Sequence, residues 1–441
     1  MRFALACSLL ALGQDLPRRG TFGVPLLPVP PDVATKLSLK PQSAAQFTAP
    51  ATGKLAGDIK NGDILVDING KSFSTFGEMN ELIRQLPVGS NAKLTVLADG
   101  VRTERQVTIT EKPRDKGENY EVIYDSVVSN GNRIRTFVSK PKAEGKRPVM
   151  FWIQGISASS VDSPLTSQNI VSKVLKSFSD DGWVTVRVEK TGVGDSEGGP
   201  ALKVGFDEEA DIYRQTLKTL DKYPFVDRSR VYIFGHSMGG CHAPIVASET
   251  PVKGIITYGT VSDSWLEWQI KAARWQSLLG GADPEEVDKL VRQTVTLYNA
   301  LYTEKKSIPE IRKQYPDLAE LIKQSAPTDE MLSVRSVKYM REVNDVNFGH
   351  YWQRVGDARV LDLFGENDFV SLEADQAQIP GFVNRKKAGA AVFMKVKESD
   401  HGFSKTTSMQ DSMAKTGRPG AEFNPEVIRV LKEWIASVEK G

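Results

Sequence analysis

Gly235-His236-Ser237-Met238-Gly239-Gly240 is the stretch on which the reading of this chain turns. An apolar run at 230–234 (Arg-Val-Tyr-Ile-Phe) leads into it, and a helix-competent run at 241–248 (Cys-His-Ala-Pro-Ile-Val-Ala-Ser) follows. Strand, Gly-x-Ser-x-Gly, helix is the context of a nucleophile elbow, a strained turn that exposes a serine hydroxyl at the carboxyl end of a strand. Such a turn brings backbones so close that side chains at 235, 239 and 240 would clash, which calls for glycine at all three.

A serine hydroxyl is a weak nucleophile at neutral pH. It needs an imidazole to take its proton and a carboxylate to fix the tautomer and stabilise the cation. The chain has four histidines. His236 lies on the elbow and cannot easily turn back onto Ser237; His242 points along the following helix; His350 falls in a helical insertion. His401, in Glu398-Ser399-Asp400-His401-Gly402-Phe403, follows a strand-like run at 390–396 and lies in a loop, where catalytic groups are carried on a rigid sheet. The carboxylate is expected between Ser237 and His401 at a strand end, in the segment 361–370. Asp368 is the choice there and Glu366 the runner-up; Asp400 is too close to His401 along the chain. Two backbone N–H groups should form an oxyanion hole: Met238 after the nucleophile, and Ile156 in the loop Gln154-Gly155-Ile156-Ser157 after the strand 149–153.

From Tyr120 onward short apolar runs alternate with helical ones, after a hairpin formed by 121–129 and 133–139 around Asn130-Gly131-Asn132. Continuous apolar strands between helices predict a mostly parallel sheet covered on both faces. Asn424 and Pro425 start a last helix with a stripe of Val427, Leu431, Trp434 and Val438. The alternation stops at about 262–356. There Trp265, Trp268, Ala272, Trp275 and Leu279 keep helical spacing, and Asp283-Pro284-Glu285-Glu286 and Ser307-Ile308-Pro309-Glu310 read as capped helix starts. This predicts a helical cap, with Gln154, Trp265 and Trp268 as residues of an apolar substrate pocket.

Elbow, acid and histidine in this order resemble an α/β-hydrolase with a cap over residues 120–441. The resemblance implies an α/β-hydrolase fold and a Ser237–Asp368–His401 triad. Glu189-Lys190-Thr191-Gly192-Val193-Gly194-Asp195-Ser196-Glu197-Gly198 resembles the loop such enzymes carry after the strand 183–188, with Asp195 in a structural role. Many members have His-Gly where this chain has Gln154-Gly155. The nearest similarity is to acyl hydrolases and to the catalytic domains of the prolyl oligopeptidase clan.

Residues 18–112 have a different logic: a strand-like run at 64–68, a helical run at 75–86, and strands at 92–97 and 102–110 joined by an Asp99-Gly100 turn. Alternation of Ile64, Val66 and Ile68 with Leu65 and Asp67 predicts a strand buried mainly on one face. With the run at 55–70, this unit resembles the PDZ domains of bacterial periplasmic proteases. Phe22, Gly23 and Val24 then match the loop that holds a peptide's terminal carboxylate, and Arg18 and Arg19 would add positive charge. Pro25 and Pro28 fall in the strand that would pair with the peptide and lack a donor N–H. The stretch 40–52 does not read as a regular strand, and the charged stretch 113–119 reads as a linker.

Residues 1–17 begin with one positive charge and a short apolar run, which predicts a cleaved signal peptide and a periplasmic or secreted bacterial protein, or a cytoplasmic one without cleavage. No other stretch is long and apolar enough for a stable membrane span. The net charge of +2 gives no warrant for nucleic-acid binding. Of the two cysteines, Cys241 reads as a packed core thiol. No ligand cluster suggests a metal or cofactor. The leading expectation is a serine hydrolase of carboxylic esters acting through an acyl-enzyme on a small-molecule substrate. A serine peptidase, with the N-terminal unit guiding short peptides, and a non-enzymatic peptide-binding scaffold are the alternatives.

Overall fold

The computed structural model describes residues 16–23, 26–40, 43–48, 59–416 and 421–440. Residues 1–15 of the expected leader, Val24 of the expected carboxylate loop and residues 55–58 lie outside these. The chain divides into two compact units, Leu16–Arg114 and a second that begins at Asp115.

The second unit is built on an eight-stranded sheet: β1 (Tyr120–Ser129), β2 (Asn132–Pro141), β3 (Arg147–Ile153), β4 (Val184–Val188), β5 (Val226–His236), β6 (Gly254–Tyr258), β7 (Arg359–Gly365) and β8 (Ala391–Val396), in the order β8-β7-β6-β5-β3-β4-β2-β1. β1 and β2 form a hairpin in which Ser129 faces Asn132, and Asn130 and Gly131 take φ of 46° and 76°. Positive φ at both turn residues matches the twist of the strands, which is why Asn-Gly marks this turn. β2 is antiparallel to β4, and from β4 to β8 every pairing is parallel. The central strands are mainly apolar because both faces are covered. Val149, Phe151, Val231 and Ile233 pack on one side with Ile212, Leu217 and Val246. Met150, Trp152, Tyr232 and Phe234 pack on the other with Leu175, Phe178 and Leu431. β4 lies on one side of β3 and β5 on the other, so the carboxyl ends of β3 and β5 open a crevice at the point where strand order reverses.

The insertion between β6 and β7 carries the helices Trp265–Leu279, Pro284–Tyr298, Ile308–Gln314, Ala319–Ser325, Val337–Asp345 and Phe348–Trp352, with a short hairpin of Met331–Leu332 against Arg335–Ser336. Ser264, Asp283 and Ser307 cap three of these helices by accepting from backbone N–H groups. Leu301, Tyr302, Met340 and Trp352 share the hydrophobic cluster of Ile233 and Val246, so the insertion is packed onto the sheet.

In the N-terminal unit the strands run Leu26–Pro28, Ala45–Phe47, Ile64–Ile68, Asn91–Ala98 and Val101–Thr108, with the helices Pro31–Lys36 and Phe76–Arg84. Thr75 caps the second helix and Asp99-Gly100 closes the last hairpin. Three expectations are corrected. The strand Ile64–Ile68 is buried on both faces: a register shift between Leu65 and Asp67 puts Leu65 and Ile68 in one cluster with Phe47 and Leu94, and Ile64 and Val66 pack with Val33 and Leu37 around the short first helix. The stretch 40–52 does contain a strand, Ala45–Phe47. The Arg18 guanidinium donates to the carbonyls of Lys112 and Pro113. The expected linker 113–119 is also not free chain throughout. Asp115 is buried in the second unit, where its carboxylate accepts from Leu165 N–H (3.0 Å) and stands 3.7 Å from Arg187.

Candidate active site

Ser237 follows the last residue of β5 and precedes the helix Met238–Glu249, with φ 55° and ψ −125°. A non-glycine residue there is strained by about 1–3 kcal/mol, held by its surroundings. The glycines around it explain how. A Cβ on Gly235 would lie 2.4 Å from Gly239 O, one on Gly239 would lie 2.0 Å from Ile153 O, and one on Gly240 would lie 2.5 Å from Thr260. The helix therefore starts pressed against the ends of β3 and β6. The loop after β3 passes equally close: a Cβ on Gly155 would stand 3.1 Å from Ser237 Cβ.

His401 and Asp368 are brought together from the loops after β8 and β7. His401 Nδ1 donates to Asp368 Oδ2 at 2.8 Å. Asp368 is fully buried, and its carboxylate also accepts from Val370 N–H (2.8 Å), Ser371 N–H (2.9 Å) and the Ser371 hydroxyl. Burial alone would raise the Asp368 pKa, but the His401 charge and these hydrogen bonds hold it below the ordinary carboxylate value. For His401 burial disfavours the cation, and Asp368 outweighs it, so the imidazole pKa is raised. Glu366 goes elsewhere: its carboxylate accepts from Glu398 N–H at 3.0 Å. Asp400 caps its own loop, accepting from Gly402 and Ser404 N–H.

Ser237, Met238, Ile156 and His401 line one cavity of about 400 Å³, with Trp265, Trp268, Val261, Tyr298 and Met340 among its walls. Trp265 and Trp268 stack at 4.5 Å between ring centres. Gln154 is not in the wall; its amide donates to Ser159 O at 2.9 Å. The other histidines stand apart from the hydroxyl. His350 is exposed, and His242 is buried against Phe206. Cys241 is buried, near Thr260 and Val261. Asp195 is ion-paired with Arg135 in the interior (3.0 Å).

The roles of two residues escaped the sequence reading. Gly259, at φ 63°, closes β6 under the pair: a Cβ there would be 2.7 Å from His401 Nδ1 and 3.0 Å from Asp368 Oδ2. A glycine just past a predicted strand was the only signal. His236 donates through Nε2 to the carbonyl of His401 at 2.8 Å and stacks on Trp152. Burial and the His401 charge push its pKa down to about 3, so it stays a neutral donor that pins the His401 loop. From below, the Tyr258 hydroxyl donates to Asp400 O at 2.8 Å.

An imidazole fixed by a buried carboxylate, lining one cavity with a serine on a strained elbow, can carry acyl-transfer chemistry. Among the described residues no group of three or more His, Cys, Asp or Glu is placed to hold a metal ion, and no helix is long and apolar enough to cross a membrane.

Several known proteins are similar to this chain. The structure is similar to DcsB in complex with its substrate analogue (16% identity, 73% of this chain and 100% of that one, TM-score 0.45) and to Est1E from Butyrivibrio proteoclasticus (14% identity, 74% and 100%, TM-score 0.44). Curated relatives include a probable periplasmic serine endoprotease DegP-like of Brucella suis biovar 1 (strain 1330), 26% identical over 182 residues, 40% of this chain and 35% of that protein. They also include the periplasmic pH-dependent serine endoprotease DegQ of Escherichia coli (strain K12), 30% identical over 111 residues, 25% of this chain and 24% of that protein. The chain thus spans about a third or less of the length of these two relatives. Residues 148–393, more than half of the chain, match the alpha/beta hydrolase fold family. With its sheet order, elbow and insertion, the chain belongs to the α/β-hydrolase fold family.

Proposed function

We propose that this protein is a serine hydrolase that cleaves carboxylic esters through an acyl-enzyme. The observation that carries the reading is the buried Asp368–His401 hydrogen bond opening onto the cavity that Ser237 also lines. In this mechanism His401 takes the proton as Ser237 Oγ attacks the ester carbonyl. The N–H groups of Met238 and Ile156 receive the oxyanion, and His401 returns the proton to the leaving alcohol. Water activated by the same imidazole then releases the acid and restores Ser237. Loss of one oxyanion donor is expected to cost about 3 kcal/mol in activation free energy. The tryptophan pair and the aliphatic wall favour a neutral, apolar acyl or alkyl group, and His401 is the one ionisable histidine or charged side chain among the cavity's lining residues.

The test is turnover of short-chain and aromatic esters beside aminopeptide substrates, with wild type and Ser237→Ala. Ester turnover that Ser237→Ala abolishes supports the reading; faster turnover of peptides than of every ester overturns it in favour of a peptidase. The names of the curated relatives favour that second reading. Labelling of Ser237 by a fluorophosphonate separates both from a non-enzymatic scaffold. His401→Ala retaining full activity would exclude His401 as the base.

The N-terminal unit is read as PDZ-like. Leu26–Pro28 is the end strand of its sheet among the described residues, with Leu27 exposed, and a peptide terminus would pair there beyond Phe22 and Gly23. The relatives' names support a periplasmic or secreted location, and fractionation of expressing cells tests it.

A further inference from the structure

The loop after β3 must present the Ile156 N–H to a reacting carbonyl, yet residues 154–161 hold no helix or strand. Two consecutive buried residues after β4 hold them instead. Glu189 accepts from the Ser160 hydroxyl and from Val161 N–H (3.1 Å). Lys190 donates through Nζ to the carbonyl of Gly155 at 2.6 Å. In a trans peptide C=O and N–H point in opposite directions. Drawing Gly155 O toward Lys190 therefore turns the Ile156 N–H away from Lys190, on the loop that passes against Ser237.

Lys190 is itself anchored. Its Nζ stands 3.1 Å from Glu209 Oε2 on the helix Phe206–Thr219. Arg335, from the hairpin of the insertion, pairs with the other oxygen of Glu209. The His242 ring, stacked on Phe206 with 3.9 Å between ring centres, lies 3.7 Å from the same carboxylate. Lys190, Glu209, Arg335 and His242 are each no more than 1% exposed. A buried charge cluster of this kind is weak evidence for stability, since apolar residues of similar volume often stabilise as well or better. Through Lys190 the cluster holds Gly155 O, on the loop that passes against Ser237.

We propose that Lys190 is a positioning residue for the oxyanion hole: held by Glu209 and tied through Arg335 to the insertion, it fixes the Gly155–Ile156 peptide so that the Ile156 N–H meets the developing oxyanion. This inference rests on the serine-hydrolase reading above.

Lys190→Met tests it in the full chain. Ester kinetics are measured together with the affinity for a trifluoromethyl ketone, which adds Ser237 Oγ to form a tetrahedral alkoxide, and for the corresponding alcohol, which cannot. The expected result is a fall in kcat of about 10²-fold, as for loss of one oxyanion donor, with KM within about twofold of wild type. Ketone affinity should fall in parallel, alcohol affinity should hold, and the acid limb of the pH profile should not move. A folded Lys190→Met with wild-type kcat, or with equal losses for ketone and alcohol, overturns the proposal. If Lys190→Met does not fold, Lys190→Gln is read in the same way: its shorter amide keeps a donor beside Glu209 and falls short of Gly155 O. Failure of both to fold assigns Lys190 to stability and overturns the proposal. Wild type without ester turnover or ketone adduct overturns the serine-hydrolase reading as well; wild-type activity shared by Lys190→Met overturns this inference alone.

Discussion

Gly259 sits where the approach of Asp368 to His401 leaves no room for a side chain. Its φ of 63° and the 2.7 Å between a built Cβ and His401 Nδ1 act together, so Gly259→Ala must displace the imidazole as well as strain the turn. A misplacement near 1 Å is expected to lower kcat about 10²-fold, with the fold retained by circular dichroism; wild-type kcat in Gly259→Ala would exclude the close approach. Asp368 makes a second prediction. In the proposed mechanism turnover requires neutral His401, so kcat/KM should rise with pH through the His401 pKa, which Asp368 holds above the ordinary imidazole value against the opposing effect of burial. Asp368→Asn leaves burial opposed only by the smaller effect of the Asp400 charge. The acid limb of the pH–rate profile should move to lower pH, while kcat falls by roughly 10⁴ because the imidazole loses its tautomer. A limb that stays in place would show that Asp368 does not set it. The pair also carries pH-dependent stability. The Asp368 share is present above the ordinary carboxylate value of 3.8 and is lost as pH falls through its depressed folded pKa. The His401 share is present below the ordinary imidazole value of 6.5 and is lost as pH rises through its raised folded pKa. The stability gap between wild type and Asp368→Asn is therefore widest between those two values.

At the level of elements, the helix Trp265–Leu279 shows what local pattern can and cannot tell. The structure adds the capping box of Ser264 and Glu267 at the helix start, and the spacing of Trp265, Trp268 and Ala272 is legible as a helix in the chain itself. So are the Asn130-Gly131 and Asp99-Gly100 hairpins, the apolar strands and the elbow, because periodicity and turn chemistry are local. What was not legible depends on partners far along the chain. Asp115 reads as solvated charge until Leu165 and Arg187 meet it. The second buried face of Ile64–Ile68 depends on a register shift and on a six-residue helix above it. Gly259, His236 and Lys190 are ordinary residues until the loops after β7, β8 and β3 close on them. The tryptophans follow the same division: their helix is local, and their place in the cavity wall is not. Trp268→Ala should raise KM for aromatic acyl esters about tenfold, equivalent to about 1.4 kcal/mol of lost contact, and leave acetyl esters within about twofold. Equal effects on both would remove Trp268 from the acyl-binding wall.

On the scale of the whole molecule, each unit carries a core drawn from its own residues. Phe22, Phe47, Leu65, Met79, Leu94 and Val107 form one cluster within Leu16–Arg114, and the two large clusters around the eight-stranded sheet are drawn from residues beyond Asp115. A unit with its own core is a cooperative folding unit. Calorimetry of the full chain should therefore resolve two transitions, and because unfolding enthalpy scales with residue number, the larger should carry about three times the heat of the smaller. Modification of Ser237 by a fluorophosphonate gives a way to assign them. The adduct fills a cavity that belongs entirely to the second unit, with Trp265, Tyr298 and Met340 closing around it. New contacts made only in the folded state raise the stability of the unit that makes them. The larger transition should move up on labelling while the smaller holds its midpoint, and Ser237→Ala treated with the same reagent should show neither change. A single transition, or two that shift together on labelling, would mean that the N-terminal unit unfolds with the hydrolase unit, and that ligand binding at Ser237 is felt across the whole chain.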